Sequence, residues 1–295
     1  MVSATRTLAL VIALPAGLGV AGCGDDNGTN PPGRQPASFD IPTEMTLEEA
    51  AAGAIPGDTL AILFSPLATA DVVTFKSSQT PLLITGSKTR PRLTTTGIDA
   101  ILRFNAPKAG TEIREVGFGG GNPAVEIVGE GSILIDQCDF TGGVVQVYGT
   151  GSGLHATVSN CLMRDAGLFS IEVGSGATLT ATGNSIDGAG DCGIILEGSA
   201  KATVMNNIIW RSSNYGIACA GSQDLGETSG CNDIHQSGID HYLGCTEPES
   251  DFHLDPEFCD PDGGNYTLFD ISPCTPINSG GCGLIGAREP GCELP

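Results

Sequence analysis

The chain has 295 residues, with 13 Lys and Arg against 34 Asp and Glu, so its formal net charge is −21. This charge repels nucleic acid and anionic membrane surfaces, and it repels polyuronates unless calcium bridges them, which disfavours polyanion binding through a basic groove. With 43 Gly and 5% aromatic residues, the composition excludes a thick globular core and favours one elongated, turn-rich solenoid domain.

Residues 1–22 predict a lipoprotein signal peptide. Arg6 precedes an apolar run that ends in small residues directly before Cys23. The pattern resembles a bacterial lipobox, in which the Cys23 thiol is acylated and the preceding peptide is removed. An ordinary signal peptide or a short membrane helix is the alternative, although the run is marginal for crossing a bilayer. Residues 23–40 then form the lipidated Cys and a flexible tether, which places the domain in a bacterial cell envelope, facing the periplasm or the exterior.

A short helix is predicted next. Thr46 and Glu49 have the spacing of a capping box, and the alanines that follow favour helix. A turn then leads into a first strand at residues 60–64. Since a solenoid must cover its open ends, we expect this helix to be the N-terminal cap.

A repeat of 23 residues occupies the middle of the chain. Hexads start at Ile135, Val158, Ala181 and Val204, and short apolar runs with alternating polarity precede them, which predicts strands. Three short strands and three turns use about 23 residues, which is one coil of a parallel β-helix. Stacked coils would align two sets of residues: an interior set of Phe140, Met163, Ile186 and Ile209, and a turn set of Cys138, Cys161, Asn184 and Asn207.

Some of the predicted strands open with Gly-Ile, and some of the turns have the pattern Asn-x-Ile. Together with closing segments at 255–258, 266–268 and 283–287, these patterns resemble the right-handed parallel β-helix family of pectate-lyase-like repeat proteins. The resemblance covers the chain from about residue 45 to its end. It implies an all-β fold: a single-stranded right-handed parallel β-helix solenoid at 41–244, with a short N-terminal capping helix and a Cys-rich, disulfide-stapled C-terminal cap at 245–295. The fold hosts lyases, hydrolases, adhesins and structural modules, so function must be argued from a site.

The cysteines support an oxidising compartment. Of 11 Cys, setting aside Cys23 leaves an even number suited to disulfides. Cys138 and Cys161 fall at the same position of successive coils, about 4.8 Å apart, and are the first expected pair; two stacked buried thiols are the alternative. Cys274 and Cys282 are expected to form a local clip. No C-x-x-C spacing supports a zinc site.

Catalytic candidates follow from the resemblance, because pectate-lyase-like enzymes generally have their site on the outward face of the first strand column. A uronate lyase needs an Arg or Lys base with calcium, and the sequence pattern places no Lys or Arg on this face. A hydrolase needs two carboxylates, for which Glu126, Glu172, Asp187 and Asp191 are candidates; ordinary surface charge is the alternative. The expected face consists of Glu126, Gln146, Ser170, Glu172, Ile195, Glu197 and Ala218.

A second candidate site lies in the loops after the third strand. By the 23-residue register, Arg164, Asp187 and Trp210 stack in one column, with Arg211 and Tyr215 close in sequence. A flat aromatic ring beside an Arg and carboxylates is suited to bind a sugar ring. The alternative is a salt bridge between Arg164 and Asp187, with Trp210 packed over the loop. Asp187 and Asp191 could also bind calcium, and no other cofactor is indicated.

Two functions therefore remain open. The first is a lipid-anchored, noncatalytic β-helix that binds a polysaccharide or another envelope protein. The second is a polysaccharide lyase or glycoside hydrolase, and a purely structural envelope protein is a third alternative. Membrane lipid is the expected partner through Cys23, nucleic acid is not expected, and covered ends favour a monomer.

Overall fold

A computed structural model describes residues 35–41, 45–69, 71–95, 99–174, 176–221 and 225–293. The chain divides into two compact units, residues 1–35 and 36–295, and the fold described below belongs to the second. Within the described ranges, no helix has both the length and the apolar character needed to cross a membrane.

One α-helix, α1 (Leu47–Gly53), precedes most of the strands. The Thr46 hydroxyl accepts a hydrogen bond from the Glu49 backbone N–H, and the Glu49 carboxylate accepts one from the Thr46 N–H. The predicted capping box is therefore confirmed, and it satisfies backbone donors that the first turn of a helix leaves free. Leu47 and Ala50 are buried against the first coils. A single 3₁₀ turn, Ser77–Gln79, follows later.

The remaining regular elements of the described residues are strands. The N-terminal strands are β1 Ser38–Ile41, β2 Thr59–Ile62, β3 Leu67–Thr69, β4 Val73–Lys76, β5 Leu83–Thr85, β6 Arg92–Thr95, β7 Leu102–Asn105, β8 Thr111–Arg114 and β9 Gly117–Gly119. The central strands are β10 Val125–Asp136, β11 Asp139–Thr141, β12 Val145–Ser159, β13 Leu162–Arg164, β14 Ile171–Gly174, β15 Thr178–Thr182, β16 Ser185–Asp187, β17 Cys192–Glu197, β18 Lys201–Met205 and β19 Ile208–Trp210. The C-terminal strands are β20 Tyr215–Ala220, β21 Asp233–His235, β22 Asp240–Leu243, β23 Phe258–Asp260, β24 Asn265–Phe269 and β25 Pro290–Cys292.

The strands up to β22 stack in three parallel columns. The first column is β4, β7, the first part of β10, the first part of β12, β14, β17, β20 and β22. The second is β1, β2, β5, β8, the second parts of β10 and β12, β15 and β18. The third is β3, β6, β9, β11, β13, β16, β19 and β21. Each complete coil contributes one strand to each column, so the fold is the expected β-solenoid.

The 23-residue register is confirmed in the strand pairing. Ile135 pairs with Val158, Val158 with Ala181, and Ala181 with Val204. Because equivalent residues of successive coils lie side by side, each inward position forms a continuous apolar row. The predicted interior row pairs in the same way and is buried: Phe140, Met163, Ile186 and Ile209. Phe118 extends this row and stacks on Phe140 with ring centroids 4.8 Å apart.

The predicted Asn turn forms a buried ladder of side-chain amides. Asn184, Asn207 and Asn232 are fully buried in successive coils. The amide group of Asn184 donates to Asn207 Oδ1 at 2.9 Å, and that of Asn207 donates to Asn232 Oδ1 at 3.0 Å. Each Oδ1 also accepts from the backbone N–H of the preceding coil, so the ladder satisfies donors that no strand pairs.

Both predicted disulfides are wrong. Cys138 and Cys161 are buried free thiols, and Cys138 Sγ lies 3.4 Å from the Asp136 carbonyl oxygen. Cys161 Sγ instead contacts the Ser159 carbonyl at 3.1 Å, and burial raises the pKa of this thiol well above its usual value. The clip of Cys274 with Cys282 also fails, since Cys282 bonds to Cys231 and Cys274 is free. The disulfides present are Cys219–Cys245, Cys231–Cys282 and Cys259–Cys292.

The Cys-rich C-terminal segment folds as a small three-stranded sheet of β23, β24 and β25. It packs against the outer side of the third column, where Phe258 and Tyr266 bury Trp210. Between β24 and β25 the chain runs along the solenoid, where the Gly286 N–H donates to the Asn206 carbonyl at 2.8 Å. This segment covers a side of the solenoid that the sequence pattern had left open.

A buried carboxyl joins that segment to the last coil. Asp233 is fully buried, and its Oδ2 lies 3.1 Å from the Sγ of Cys274. The Leu254 N–H donates to Oδ1 at 3.0 Å. Burial raises the pKa of Asp233 to about 7, although the contacts with Cys274 and the Leu254 N–H oppose the rise.

Candidate functional site

A polar row runs along the outer side of the first column, where a lyase or hydrolase site was expected. Arg103 pairs with Glu126, which corrects the expectation that no Lys or Arg stands on this face. Arg103 was missed because its coil precedes the first recognised hexad, although it lies 23 residues before Glu126. In register, the row consists of Thr74, Arg103, Glu126, Gln146, Glu172, Ile195 and Ala218.

The polar part of this row is held by hydrogen bonds between coils. The Nε of Arg103 donates to Glu126 Oε2 at 2.5 Å, and the side chains are 39% and 18% exposed. The amide of Gln146 donates to Glu172 Oε2 at 2.7 Å, and the Tyr148 hydroxyl donates to the other oxygen of Glu172. Burial and this carboxylate raise the pKa of Tyr148 above its usual value, so the phenol keeps its proton. Charged and polar groups are thus fixed in place at a half-buried surface.

Further along the solenoid the same row is apolar. Ile195 and Ala218 are buried beneath Phe169 and Tyr215, beside the free thiol of Cys192. Burial raises the pKa of Cys192 to about 12, so it is a neutral thiol near pH 7. The polar part of this row therefore ends at Glu172.

Ser170 does not belong to this face, contrary to expectation. Its side chain is fully buried, and its hydroxyl has no hydrogen-bond partner. Ser170 comes directly before β14, where its backbone N–H donates to the Gly193 carbonyl and its own carbonyl accepts from Val145. The period-two alternation that placed it outward begins only with Ile171.

The second candidate site has the predicted register but a different environment. Arg164 pairs with Asp187, and Asp187 with Trp210, in successive strands of the third column. The buried carboxylate of Asp187 accepts from Arg211 Nε at 2.8 Å and from Nη2 at 2.6 Å, so its ion pair is with Arg211 and not with Arg164. This contact raises the pKa of Arg211 above its usual value. The Tyr266 hydroxyl donates to Asp187 Oδ2 at 2.5 Å.

Trp210 is not presented to a sugar ring. It is 9% exposed, with its ring centroid 5.6 Å from that of Phe258 and the Arg211 guanidinium carbon 3.9 Å from its own. The Phe258 ring and the Arg211 guanidinium therefore already cover the Trp210 ring. Tyr215 lies apart, on the first column beside Ile195, so the five predicted ligand-binding residues do not form one surface.

Asp187 and Asp191, which were proposed for hydrolysis or calcium binding, are hydrogen-bonded to different groups of the protein. Asp191 Oδ1 accepts from the Asn214 amide at 2.8 Å, whereas both oxygens of Asp187 are used by Arg211 and Tyr266. Among the residues the structure describes, no group of three or more His, Cys, Asp or Glu could hold a metal ion. Calcium binding stays a prediction, as does acylation of Cys23, which lies outside the described residues.

Comparison with known families agrees with the coil geometry. The family described as the right-handed beta helix region matches residues 102–251, which is just over half of the chain. No curated protein shows significant similarity to the sequence. The matched residues include the polar row from Arg103 to Glu172 and the amide ladder. With the parallel columns and the shared register, this match shows that the chain belongs to the right-handed β-helix family.

Proposed function

We propose that this protein is a lipid-anchored module of the bacterial cell envelope that binds a glycan without cleaving it. The signal-peptide pattern ending at Cys23 supports the anchor. The β-helix is the rigid support, and the polar row from Arg103 to Glu172 is the binding surface. A protein of the envelope is a less favoured ligand, because this row lacks the apolar centre of most protein interfaces.

The observation that carries the proposal is the fixed hydrogen-bonding geometry of the row. Glu172 is held by Gln146 and Tyr148, and Glu126 is held by Arg103. Side chains that are already ordered lose little entropy on binding, which favours recognition of hydroxyl groups on an extended chain. The Tyr148 ring adds a flat, partly exposed apolar surface of the kind against which a sugar ring packs.

The test uses the full chain with Cys23→Ser, so that no lipid is attached, and a panel of neutral and acidic polysaccharides with and without calcium. Retention and release of products are both measured. We expect retention of at least one glycan without products. Tyr148→Ala should weaken that retention about tenfold or more, since it removes the ring and one support of Glu172. Thr157→Ala, on the outer side of the second column, is the matched control and should have no effect.

Catalysis is the second candidate, and Arg103 is the observation that favours it. An Arg on the outward face of the first column supplies the type of base that a uronate lyase uses. Its contact with Glu126 argues against this role, because that carboxylate already occupies Nε of the guanidinium. Glu126 and Glu172 lie two strands apart, about 10 Å, which is at the upper limit for an inverting hydrolase.

The same panel separates these functions. Products with an unsaturated end, lost in Arg103→Gln, would establish a lyase. New reducing ends, lost in Glu172→Gln, would establish a hydrolase. Either product would replace the binding proposal, whereas retention without product upholds it.

A further inference from the structure

Four arginines lie together on the outer side of the third column. They are Arg90, Arg92, Arg164 and Arg288, and the carboxylate among them is Asp139. Arg288 contacts Asp139 Oδ1, and Arg90 Nε lies 3.5 Å from the same oxygen. In a chain of net charge −21, this cluster is a local reversal of sign.

Two of these side chains converge on one hydroxyl. Arg92 Nη2 donates to Thr141 Oγ1 at 2.8 Å, and Arg164 Nη2 donates to the same oxygen at 3.2 Å. The two nitrogens are therefore at most about 6 Å apart, the sum of those distances. Gly119 makes this approach feasible, because a Cβ there would lie 2.9 Å from Cδ of Arg92. The missing side chain on β9 gives Arg92 its path across the intervening strand.

Neither guanidinium forms an ion pair with a carboxylate of the described residues. Among the described residues, no carboxylate lies within 4.0 Å of Arg92 or Arg164. Two like charges at this separation repel each other unless an anion lies near both. In addition, Arg164 Nε is buried and has no hydrogen-bond partner, although buried donors are nearly always satisfied. The Arg164 guanidinium carbon lies 5.8 Å from the centroid of the Tyr266 ring, but no acceptor atom of the described residues bonds to its Nε.

We propose that Arg92 and Arg164, with Thr141 between them, form a binding site for one oxyanion. The planar fork of a guanidinium matches the oxygens of a carboxylate, sulfate or phosphate. Since Thr141 Oγ1 accepts from both arginines, its own proton is available to donate to the anion. Gly120 borders the site and leaves space for a ligand, because a Cβ there would meet no atom within 4 Å.

The net charge of the chain does not oppose this site. At physiological salt, screening limits exposed charges to a range of about 8 Å, so the nearby arginines determine the local potential. The net charge that disfavours polyanions for the chain as a whole therefore does not set the potential at this surface. The site lies on a different column from the row at Arg103, so it is independent of the glycan-binding proposal.

The test is calorimetric titration of the full chain, with Cys23→Ser, using sodium sulfate, sodium phosphate and sodium glucuronate. Glucose is the neutral counterpart of glucuronate, and sodium chloride keeps the ionic strength equal. We expect saturable binding of at least one oxyanion, with a Kd raised at least tenfold in Arg92→Gln. Lys201→Gln removes the same charge from an exposed position on the second column, and its Kd should stay within twofold of wild type.

Both sources of the anion are distinguished by the same titration. Tighter binding of glucuronate than of the inorganic ions assigns a sugar acid, and equal or weaker binding assigns a free oxyanion; each result upholds the site. The absence of saturable oxyanion binding, or an equal loss in Arg92→Gln and Lys201→Gln, overturns it.

A structural role is tested separately in buffer without oxyanions. There the double variant Arg92→Gln, Arg164→Gln should be at least as stable as wild type, because the repulsion between the two guanidiniums is removed. A lower melting temperature of the double variant would assign these arginines to packing and overturn the proposal.

Discussion

The amide ladder should contribute strongly to stability, and Asn207→Ala tests this. Asn207 is fully buried, and its Oδ1 accepts from the backbone N–H of Asn184 at 3.0 Å and from the side-chain amide of Asn184 at 2.9 Å. Its own amide donates to the Ala181 carbonyl and to Asn232 Oδ1, each at 3.0 Å. Alanine would remove these four bonds and a fifth, which the Asn207 amide donates to the Met205 carbonyl at 2.9 Å.

The expected loss follows from the donors left without partners. A buried donor deprived of its acceptor costs about 1–3 kcal/mol. Two donors of Asn184 lose their acceptor, so the free energy of unfolding should fall by about 2–6 kcal/mol. A water molecule entering the space left by the amide would move the value towards the lower limit.

Urea unfolding, followed by circular dichroism, measures this loss as a lower midpoint. Thr203→Ala is the control, since Thr203 lies on the outer side of β18 in the neighbouring column, and it should change stability by no more than about 0.5 kcal/mol. A loss below about 1 kcal/mol for Asn207→Ala, or one equal to that of the control, would refute the energetic role of the ladder.

Three further predictions concern the C-terminal segment. Cys231→Ser opens a disulfide whose partners are 51 residues apart, and chain entropy predicts about 4 kcal/mol lower stability, seen as faster proteolysis of the segment; unchanged proteolysis would contradict this. Because the folded pKa of Asp233 is raised to about 7, its stabilising contribution is complete below about pH 4 and is lost as the pH rises through 7. The urea midpoint should fall across this pH range in wild type but not in Asp233→Asn. An equal fall in both proteins would refute the role of Asp233. Arg211→Ala leaves buried Asp187 without its cation, which should cost about 3–5 kcal/mol and shift the emission of Trp210, the only Trp, to the red; unchanged emission would speak against this.

Much of the fold was predictable because a solenoid repeats its local rules in every coil. The spacing of the hexads predicted the pairing of Ile135 with Val158 and the stacking of Asn184 on Asn207, and both are confirmed. The capping box at Thr46 was readable for a similar reason, since it depends only on residues three apart. Contacts set by short-range spacing can be inferred without knowing the rest of the chain.

The environment of the candidate site was not predictable in the same way. The register correctly stacked Asp187 on Trp210, but their cover comes from Phe258 and Tyr266, far along the chain and outside the repeat. The predicted pairing of Cys274 with Cys282 failed for the same reason, because Cys282 reaches Cys231 only after the segment has folded back on the solenoid. Arg103, by contrast, could have been found by extending the 23-residue register one coil towards the N-terminus.

The most direct test of the proposed function is the affinity of the polar row for the glycan that the panel identifies. Titration of that glycan into wild type, Gln146→Ala and Thr157→Ala compares a side chain in the row with one on the second column. Gln146→Ala removes the donor that orients Glu172, so we predict a Kd raised about tenfold or more, while Thr157→Ala stays within twofold of wild type. Equal affinity of all three proteins would show that the glycan binds elsewhere and would contradict the proposal.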